Sequence, residues 1–241
     1  MSKNITIKGA NVYHSYPESD TKGPGLILIE EIWGVNDHIK NVADRFAKEG
    51  YRVLAPELLP EGLLEQLTPQ VQKDLFDPEK RNEVQPKLRA AMQPIMQPEY
   101  ARSTLEILVS CIDYLLIDPH VSKKVGVVGF CFGGTYSFHL AASDSRIQAA
   151  VPFYGQSPAQ EEIAGINCPI LAFYGDQDAN LMQTLPNFKE EMKKQKKSFE
   201  AIVYEGMGHA FFNDTNSRTY NARVAQDAWG KTLAFLAKHL S

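Results

Sequence analysis

The chain predicts an α/β fold in which a mostly parallel, twisted sheet carries helices on both faces. Three observations point there. Short apolar runs of strand length recur at residues 25–30, 52–55, 125–129, 147–153, 169–174 and 199–204. Stretches with apolar residues at helical spacing lie between them. The 241 residues are 44% apolar and 22% charged, enough for one sizeable core within a single open-sheet domain over 1–241.

Taken in order, residues 25–30 form a continuous apolar run, the pattern of a strand buried on both faces. Asn36 or Asp37 then caps a helix whose stripe is Ile39, Val42, Ala43 and Phe46, stopped by Gly50. Residues 52–55 are the next strand. Residues 100–116 are a strong helix, with Leu105, Leu108, Val109, Ile112, Leu115 and Leu116 on one face and Pro98 near its start. The strand at 125–129 leads through Gly133 into a helix reaching Ala142. Further strands at 147–153 and 169–174, a helix over 181–194 and a strand at 199–204 follow. A last helix places Ala225, Trp229, Leu233, Leu236 and Leu240 on one face.

Right-handed crossovers in such a sheet bring the loops after each strand to one edge, where ligands bind. Residues 57–97 break the rhythm, with Pro60, Pro69, Pro78, Pro86 and Pro94, mixed charge and little periodicity. The segment is too long for a simple connection and reads as an excursion with short helices over the sheet edge. It is either a pocket wall or lid, or a decorative insertion.

The net charge of −4 is spread without long single-sign blocks, so no basic footprint for nucleic acid or an anionic membrane is expected. The Lys-dense stretch at 189–197 reads as a solvated helix end. No apolar stretch approaches the length of a membrane span, and the first residues lack the pattern of a secretory signal. Three widely spaced cysteines, Cys111, Cys131 and Cys168, do not suggest a disulfide framework; a reduced, cytoplasmic setting is the expectation.

Cys131 sits in Gly129-Phe130-Cys131-Phe132-Gly133-Gly134, the Gly-x-nucleophile-x-Gly pattern of a nucleophile elbow with Cys in place of Ser. Such a nucleophile occupies a strained turn between strand and helix, so flanking side chains must be absent. The helix N-terminus behind the sulfur favours thiolate over thiol. The bland alternative is a small buried cysteine in a glycine-rich turn. His209 follows the last strand, in the loop position suited to a general base. His14 and His120 read as loop or strand-end residues, His38 and His139 as helical, and His239 as a surface cation in the last turn. For the acid, Gly175-Asp176-Gln177-Asp178 offers two carboxylates. Asp178 is preferred because it can reach toward the histidine loop, while Asp176 more naturally holds its own turn. An oxyanion hole would need the backbone N–H of Phe132 and of Ile32, the latter in the loop after the first strand. Glu31 in that loop is either a solvated acid or a group with a use beside the thiol.

Together, Glu31-Ile32-Trp33-Gly34-Val35-Asn36, the cysteine elbow, Gly175-x-x-Asp178 and Gly208-His209-Ala210-Phe211-Phe212-Asn213 resemble the dienelactone hydrolase (carboxymethylenebutenolidase) family over nearly the whole chain. The resemblance implies a single α/β-hydrolase domain, no metal or organic cofactor, and hydrolysis of a small ester or lactone through a cysteinyl thioester. It assigns the triad to Cys131, Asp178 and His209. It implies that the resting thiol contacts Glu31 until substrate displaces the glutamate. It points to Arg89, with Arg81 and Arg102 as alternatives, for a substrate carboxylate, and makes Trp33 a candidate substrate contact. A monomer or small homo-oligomer is expected. One departure bears on the substrate. The family's dienelactone enzyme has a second carboxylate-binding arginine four residues after the histidine, and here that position is Asn213, which leaves the clamp incomplete. Other small esters without dienelactone activity, or a non-catalytic ligand-binding role for the same fold, are the alternative expectations.

Overall fold

An antiparallel hairpin of β1 (Ser2–Ile7) and β2 (Ala10–Ser15) opens the structure, a computed structural model that describes residues 1–19, 21–75 and 77–241. This hairpin was not among the expected strands. Most of β1 is exposed at the sheet edge, so it carries no sustained apolar run. Its turn is made by Lys8 and Gly9, both at positive φ (48° and 82°), the twist that suits a two-residue hairpin loop.

The chain then alternates as the sequence predicts. β3 (Gly23–Ile29) is followed by α1 (Asp37–Lys48) and β4 (Arg52–Pro56). The excursion contributes three short helices, α2 (Glu61–Leu64), α3 (Pro69–Leu75) and α4 (Arg81–Ala91), and a 3-10 turn (Gln93–Met96). The main fold resumes with α5 (Pro98–Ile117), β5 (Val121–Phe130), α6 (Phe132–Ser143) and β6 (Ile147–Phe153). It closes with β7 (Ile170–Gly175), α7 (Ala179–Lys194), β8 (Phe199–Tyr204) and α8 (Ala222–Leu240). Of the two candidate caps for α1, Asn36 serves: its side chain accepts from Ile39 N–H at 3.2 Å. β5 begins at Val121, before its apolar run, because Val121 already pairs with Gly23.

The eight strands lie in the order β1-β2-β4-β3-β5-β6-β7-β8, with β3 to β8 parallel and β2 antiparallel to both its neighbours, β1 and β4. Leu26 to Ile29 of β3 are 0% exposed, so both faces of the central strand are covered. The chain leaves β3 for β4 on one side and later returns to β5 on the other. The C-terminal ends of β3 and β5 therefore border the crevice where such sheets bind ligands.

Helix α6 sits unusually close to that crevice. A Cβ at Gly133 would lie 2.2 Å from the Ile29 carbonyl oxygen, and one at Gly134 would lie 2.3 Å from that of Phe153. The excursion is tied to the same edge. Glu30 is wholly buried, and its Oε1 accepts from the N–H groups of Leu58 (2.7 Å) and Leu59 (3.0 Å). A second apolar cluster, Leu59, Leu63, Leu67 and Ile95, then packs the excursion against Ile32, Trp33 and Phe132.

Two stability measurements check this account. Gly134→Ala should cost about 1–3 kcal/mol through overpacking against backbone. Gly230→Ala, in α8 with nothing within 4 Å, should instead gain about 0.5–1 kcal/mol, both read from urea midpoints. Burial raises the Glu30 carboxyl from 4.5 to about 8, against the two backbone N–H groups that lower it. The folded state thus holds this proton more tightly, so the contribution is full below 4.5 and is lost as pH rises through about 8. Glu30→Gln should flatten that decline, measured as the difference in urea midpoint between the two ends of the window.

Candidate active site

Strand β5 delivers Cys131 at its C-terminal end, and α6 begins immediately after it. Cys131 has φ 54° and ψ −109°, a conformation that ordinary side chains avoid. It is held there by its neighbours: Cys131 N–H donates to the Phe153 carbonyl (3.0 Å) and Gly133 N–H to the Glu30 carbonyl (3.0 Å). Tyr154 (φ 38°) and Ala210 (φ 63°) are strained in the same way, and both lie against this site. Cys131 is half-buried, whereas Cys111 and Cys168 are buried and their thiols are pushed up to about 12 by desolvation.

The loop after β8 carries His209 above a buried aromatic floor. Phe212 packs on Phe130 and Phe153 with ring centres 5.1 Å from each, and Phe211 lies 5.5 Å from Tyr154. His209 Nδ1 donates to Asp178 Oδ2 at 2.5 Å, and its ring interacts on the other side with Cys131. Burial works against the imidazolium. The Cys131 charge and the hydrogen bonds to Asp178 and Cys131 outweigh it, holding His209 well above its usual value. Asp178 is the N-cap of α7 but spends its side chain on the histidine. Asp176 instead accepts from Gly206 N–H at 2.9 Å, and Gln177 N–H donates to the Met207 carbonyl at 2.9 Å, locking the two loops together.

The N–H groups of Phe132 and Ile32 donate to no protein acceptor among the described residues. For Phe132 the reason is local, since it is the first residue of a helix and has no carbonyl four residues back within the turn. The Ile32 N–H belongs to the tight turn Glu31–Gly34, closed by Gly34 N–H to the Glu31 carbonyl at 3.1 Å.

Glu31 is placed differently from the expectation that it contacts the resting thiol. It is 2% exposed, and its two oxygens accept from Tyr154 Oη (2.9 Å) and Asn213 Nδ2. No hydrogen bond joins Glu31 to Cys131 among the described residues, and the thiol's partner is His209. The Asn213 amide is held in a fixed orientation. Its Oδ1 accepts from Thr215 N–H (3.0 Å) and Thr215 Oγ1 (2.6 Å), which turns the NH2 group to the glutamate. The Tyr154 hydroxyl is raised well above 10.0 by burial and by the nearby Glu31 and Cys131 charges. Tyr154 was missed in the sequence, although its place at the end of the 147–153 strand, on the ligand-binding edge, was the available signal.

Trp33 is half-buried beside this loop. Arg89 is not brought to the site. It is exposed on α4 and lines an open surface groove with Gln85, Pro86, Ala90 and Gln93. Arg81 and Arg102 are also exposed. A Pro-containing helix outside the sheet carries Arg89, and no spacing from the elbow could locate it.

His38 joins α1 to the histidine loop through Asp214, Nδ1 to Oδ1 at 2.7 Å, with the imidazole buried. His139 pairs with Glu162 (2.8 Å), and His14 is buried at the end of β2. No group of three or more metal-ligating side chains occurs among the described residues, and none of their helices is long and apolar enough to cross a membrane.

A family model for the "Dienelactone hydrolase family" matches residues 10–240. A "Putative carboxymethylenebutenolidase" of Saccharolobus solfataricus is 34% identical over 236 residues, covering 88% of each chain. A "Probable 2-oxo-3-(5-oxofuran-2-ylidene)propanoate lactonase" of Bradyrhizobium is 30% identical, covering 95% of this chain and 89% of the relative. The crystal structure of a "Putative Dienelactone Hydrolase" from Klebsiella pneumoniae superimposes with a TM-score of 0.81 at 26% identity, covering 99% of both chains. With its mostly parallel sheet, its cysteine at the strand-to-helix turn and a match over nearly its full length, the chain belongs to the dienelactone hydrolase family of α/β-hydrolases.

Proposed function

We propose that this protein hydrolyses a lactone or carboxylic ester through a cysteinyl thioester, with Cys131 as nucleophile, His209 as acid and base, and Asp178 as the group that orients the imidazole. The observation that carries the reading is the relay Asp178–His209–Cys131 at the elbow, with the imidazole raised well above its usual value by the sulfur and the aspartate. An ion pair of thiolate and imidazolium is already the reactive form of such a pair.

In the first half-reaction the thiolate attacks the acyl carbon, and the carbonyl oxygen becomes an oxyanion that the free N–H groups of Ile32 and Phe132 can receive. The C–O bond to the leaving group breaks, and the departing oxygen takes the proton from His209. For an ester an alcohol leaves; for a lactone the ring opens and the hydroxyl stays attached. In the second half-reaction neutral His209 takes a proton from water, and the oxygen of that water adds to the thioester carbon. The C–S bond breaks, restoring the thiolate and releasing the acid. Asp178 fixes the imidazole tautomer and stabilises the imidazolium in both halves. The Bradyrhizobium relative's lactonase name supports a lactone among the substrates. The Saccharolobus relative's carboxymethylenebutenolidase name supports dienelactone within that class, while Asn213, which stands where a second carboxylate-binding arginine would be and engages Glu31, leaves the carboxylate clamp incomplete.

Cys131→Ala should lower kcat/KM for an activated ester by at least about three orders of magnitude while leaving the circular dichroism spectrum unchanged. Wild type mixed with a slowly deacylating ester should gain the acyl mass on the Cys131 peptide, and turnover without that adduct would refute the thioester. Asp178→Asn should lower kcat/KM about 10²–10⁴-fold. It should also move the alkaline limb of the pH profile to lower pH, because Asp178 is one of the groups that raise His209. Tyr154→Phe, which leaves one oxygen of the buried Glu31 without its donor, should cost about 1–3 kcal/mol in a denaturant titration.

A further inference from the structure

The reaction above leaves the Glu30 carboxyl without a task, although it is wholly buried two residues before Ile32. Its backbone carbonyl accepts from Gly133 N–H, on the residue after Phe132, at 3.0 Å. That hydrogen bond ties the strand end carrying Ile32 to the helix start carrying Phe132. The Phe132 side is firm, because α6 is wedged against the backbones of β3 and β6. The Ile32 side is only the tight turn Glu31–Gly34, with Gly34 at φ 80°. A turn of that length presents its N–H in one direction only if groups outside it hold it.

The base of the excursion supplies those groups. Glu30 Oε1 accepts from Leu58 N–H (2.7 Å) and Leu59 N–H (3.0 Å), and the Leu58 carbonyl accepts from Tyr100 Oη of α5 (2.8 Å). Leu58 is thus held at both its N–H and its carbonyl. The Tyr100 ring centre lies 6.5 Å from that of Phe132, so the same tyrosine meets the helix side as well. Leu59 and Leu63 pack with the Ile32 and Phe132 side chains, and a Cβ at Gly34 would meet Leu64 at 3.0 Å. Glu30 Oε2 has no hydrogen-bond partner among the described residues, so a single oxygen makes the connection. An apolar residue here would avoid burying a carboxyl, but it would orphan two buried N–H groups.

We propose that Glu30 is a positioning residue for the oxyanion hole: through Leu58 and Leu59 it braces the Glu31–Gly34 turn against the excursion and α5, so that Ile32 N–H and Phe132 N–H stay aimed at one point. This rests on the cysteine-acylation reading above, in which those two N–H groups receive the oxyanion, and names what keeps them in place. Fixed donors stabilise developing charge without reorganising at the moment of reaction, and a small displacement forfeits much of that gain. Burial raises the carboxyl from 4.5 to about 8, so at neutral pH it is mostly uncharged. A glutamine offers the same oxygen acceptor in nearly the same shape.

The test compares two reactions of the same sulfur. Acylation of Cys131 by p-nitrophenyl acetate builds an oxyanion. Alkylation by iodoacetamide is a displacement at a saturated carbon and builds none. Both are followed at neutral pH by the mass of the Cys131 peptide, and the first also by p-nitrophenol release. Glu30→Met should slow acylation by about 10–100-fold and leave alkylation within about twofold of wild type. Glu30→Gln, which keeps Oε1, should acylate within about threefold of wild type. Tyr100→Phe, which removes only the hydroxyl from the Leu58 carbonyl, should slow acylation alone by about three- to tenfold.

Wild-type acylation by Glu30→Met overturns the proposal, and so do equal losses in Glu30→Met and Glu30→Gln. An equal fall in acylation and alkylation also overturns it, since that is what a merely loosened fold would give. If Glu30→Met does not fold, Tyr100→Phe carries the test, and unchanged acylation there overturns the proposal. Wild-type Cys131 that is alkylated but never acylated would sink the thioester reading and this inference together. Acylation that proceeds on Cys131 regardless of Glu30 would sink this inference alone.

Discussion

Two backbone hydrogen bonds, Cys131 N–H to the Phe153 carbonyl and Gly133 N–H to the Glu30 carbonyl, pin the start of α6 between the ends of β3 and β6. The rest of the site depends on this wedge. It keeps Cys131 at φ 54°, and it brings the helix so near both strands that residues 133 and 134 have room only for hydrogen. It also leaves the first N–H of the helix free beside the sulfur. The strain is tolerable because covered parallel strands on both sides over-determine the turn.

From the same strand end, two adjacent glutamate side chains run to opposite partners. Glu30 reaches the base of the excursion at Leu58 and Leu59, and Glu31 reaches Tyr154 and Asn213. Successive side chains of an extended chain point opposite ways, so one short stretch can tie the excursion and the histidine loop to the sheet together. The Glu31 arm is a fully partnered buried network, continued through Asn213 to Thr215. Such a network is rigid because any defect would leave a desolvated polar group unmatched. It sets the height of the loop on which His209 stands, with Phe211 and Phe212 packed in the core below.

The excursion is the least regular part of the chain and has its own small apolar centre. Its mixed charge and its prolines conceal that centre in the sequence, because Leu63 lies in a helix of only four residues, Leu59 and Leu67 sit in the bends on either side of it, and Ile95 belongs to a distant turn. Only their convergence on Ile32, Trp33 and Phe132 shows which way the segment faces. The same segment carries Arg89 on an exposed face of α4, where it lines a surface groove with Gln85 and Gln93.

The sequence by itself determined the alternation of buried strands and amphipathic helices, the cysteine elbow, and the candidates for acid and base. Each of these is local: a period, a glycine pair, or a loop at a strand end. It also carried the family motifs in their order. What only the tertiary structure decided is pairwise and long-range. The hairpin at the sheet edge is held by pairing rather than by an apolar run. Asp178 and Asp176 take separate partners, His209 and Gly206. Glu31 is fixed by Tyr154 and Asn213, residues 123 and 182 positions away in the chain. A buried carboxylate takes whichever donors the fold brings within about 3 Å, and no spacing along the chain can name them.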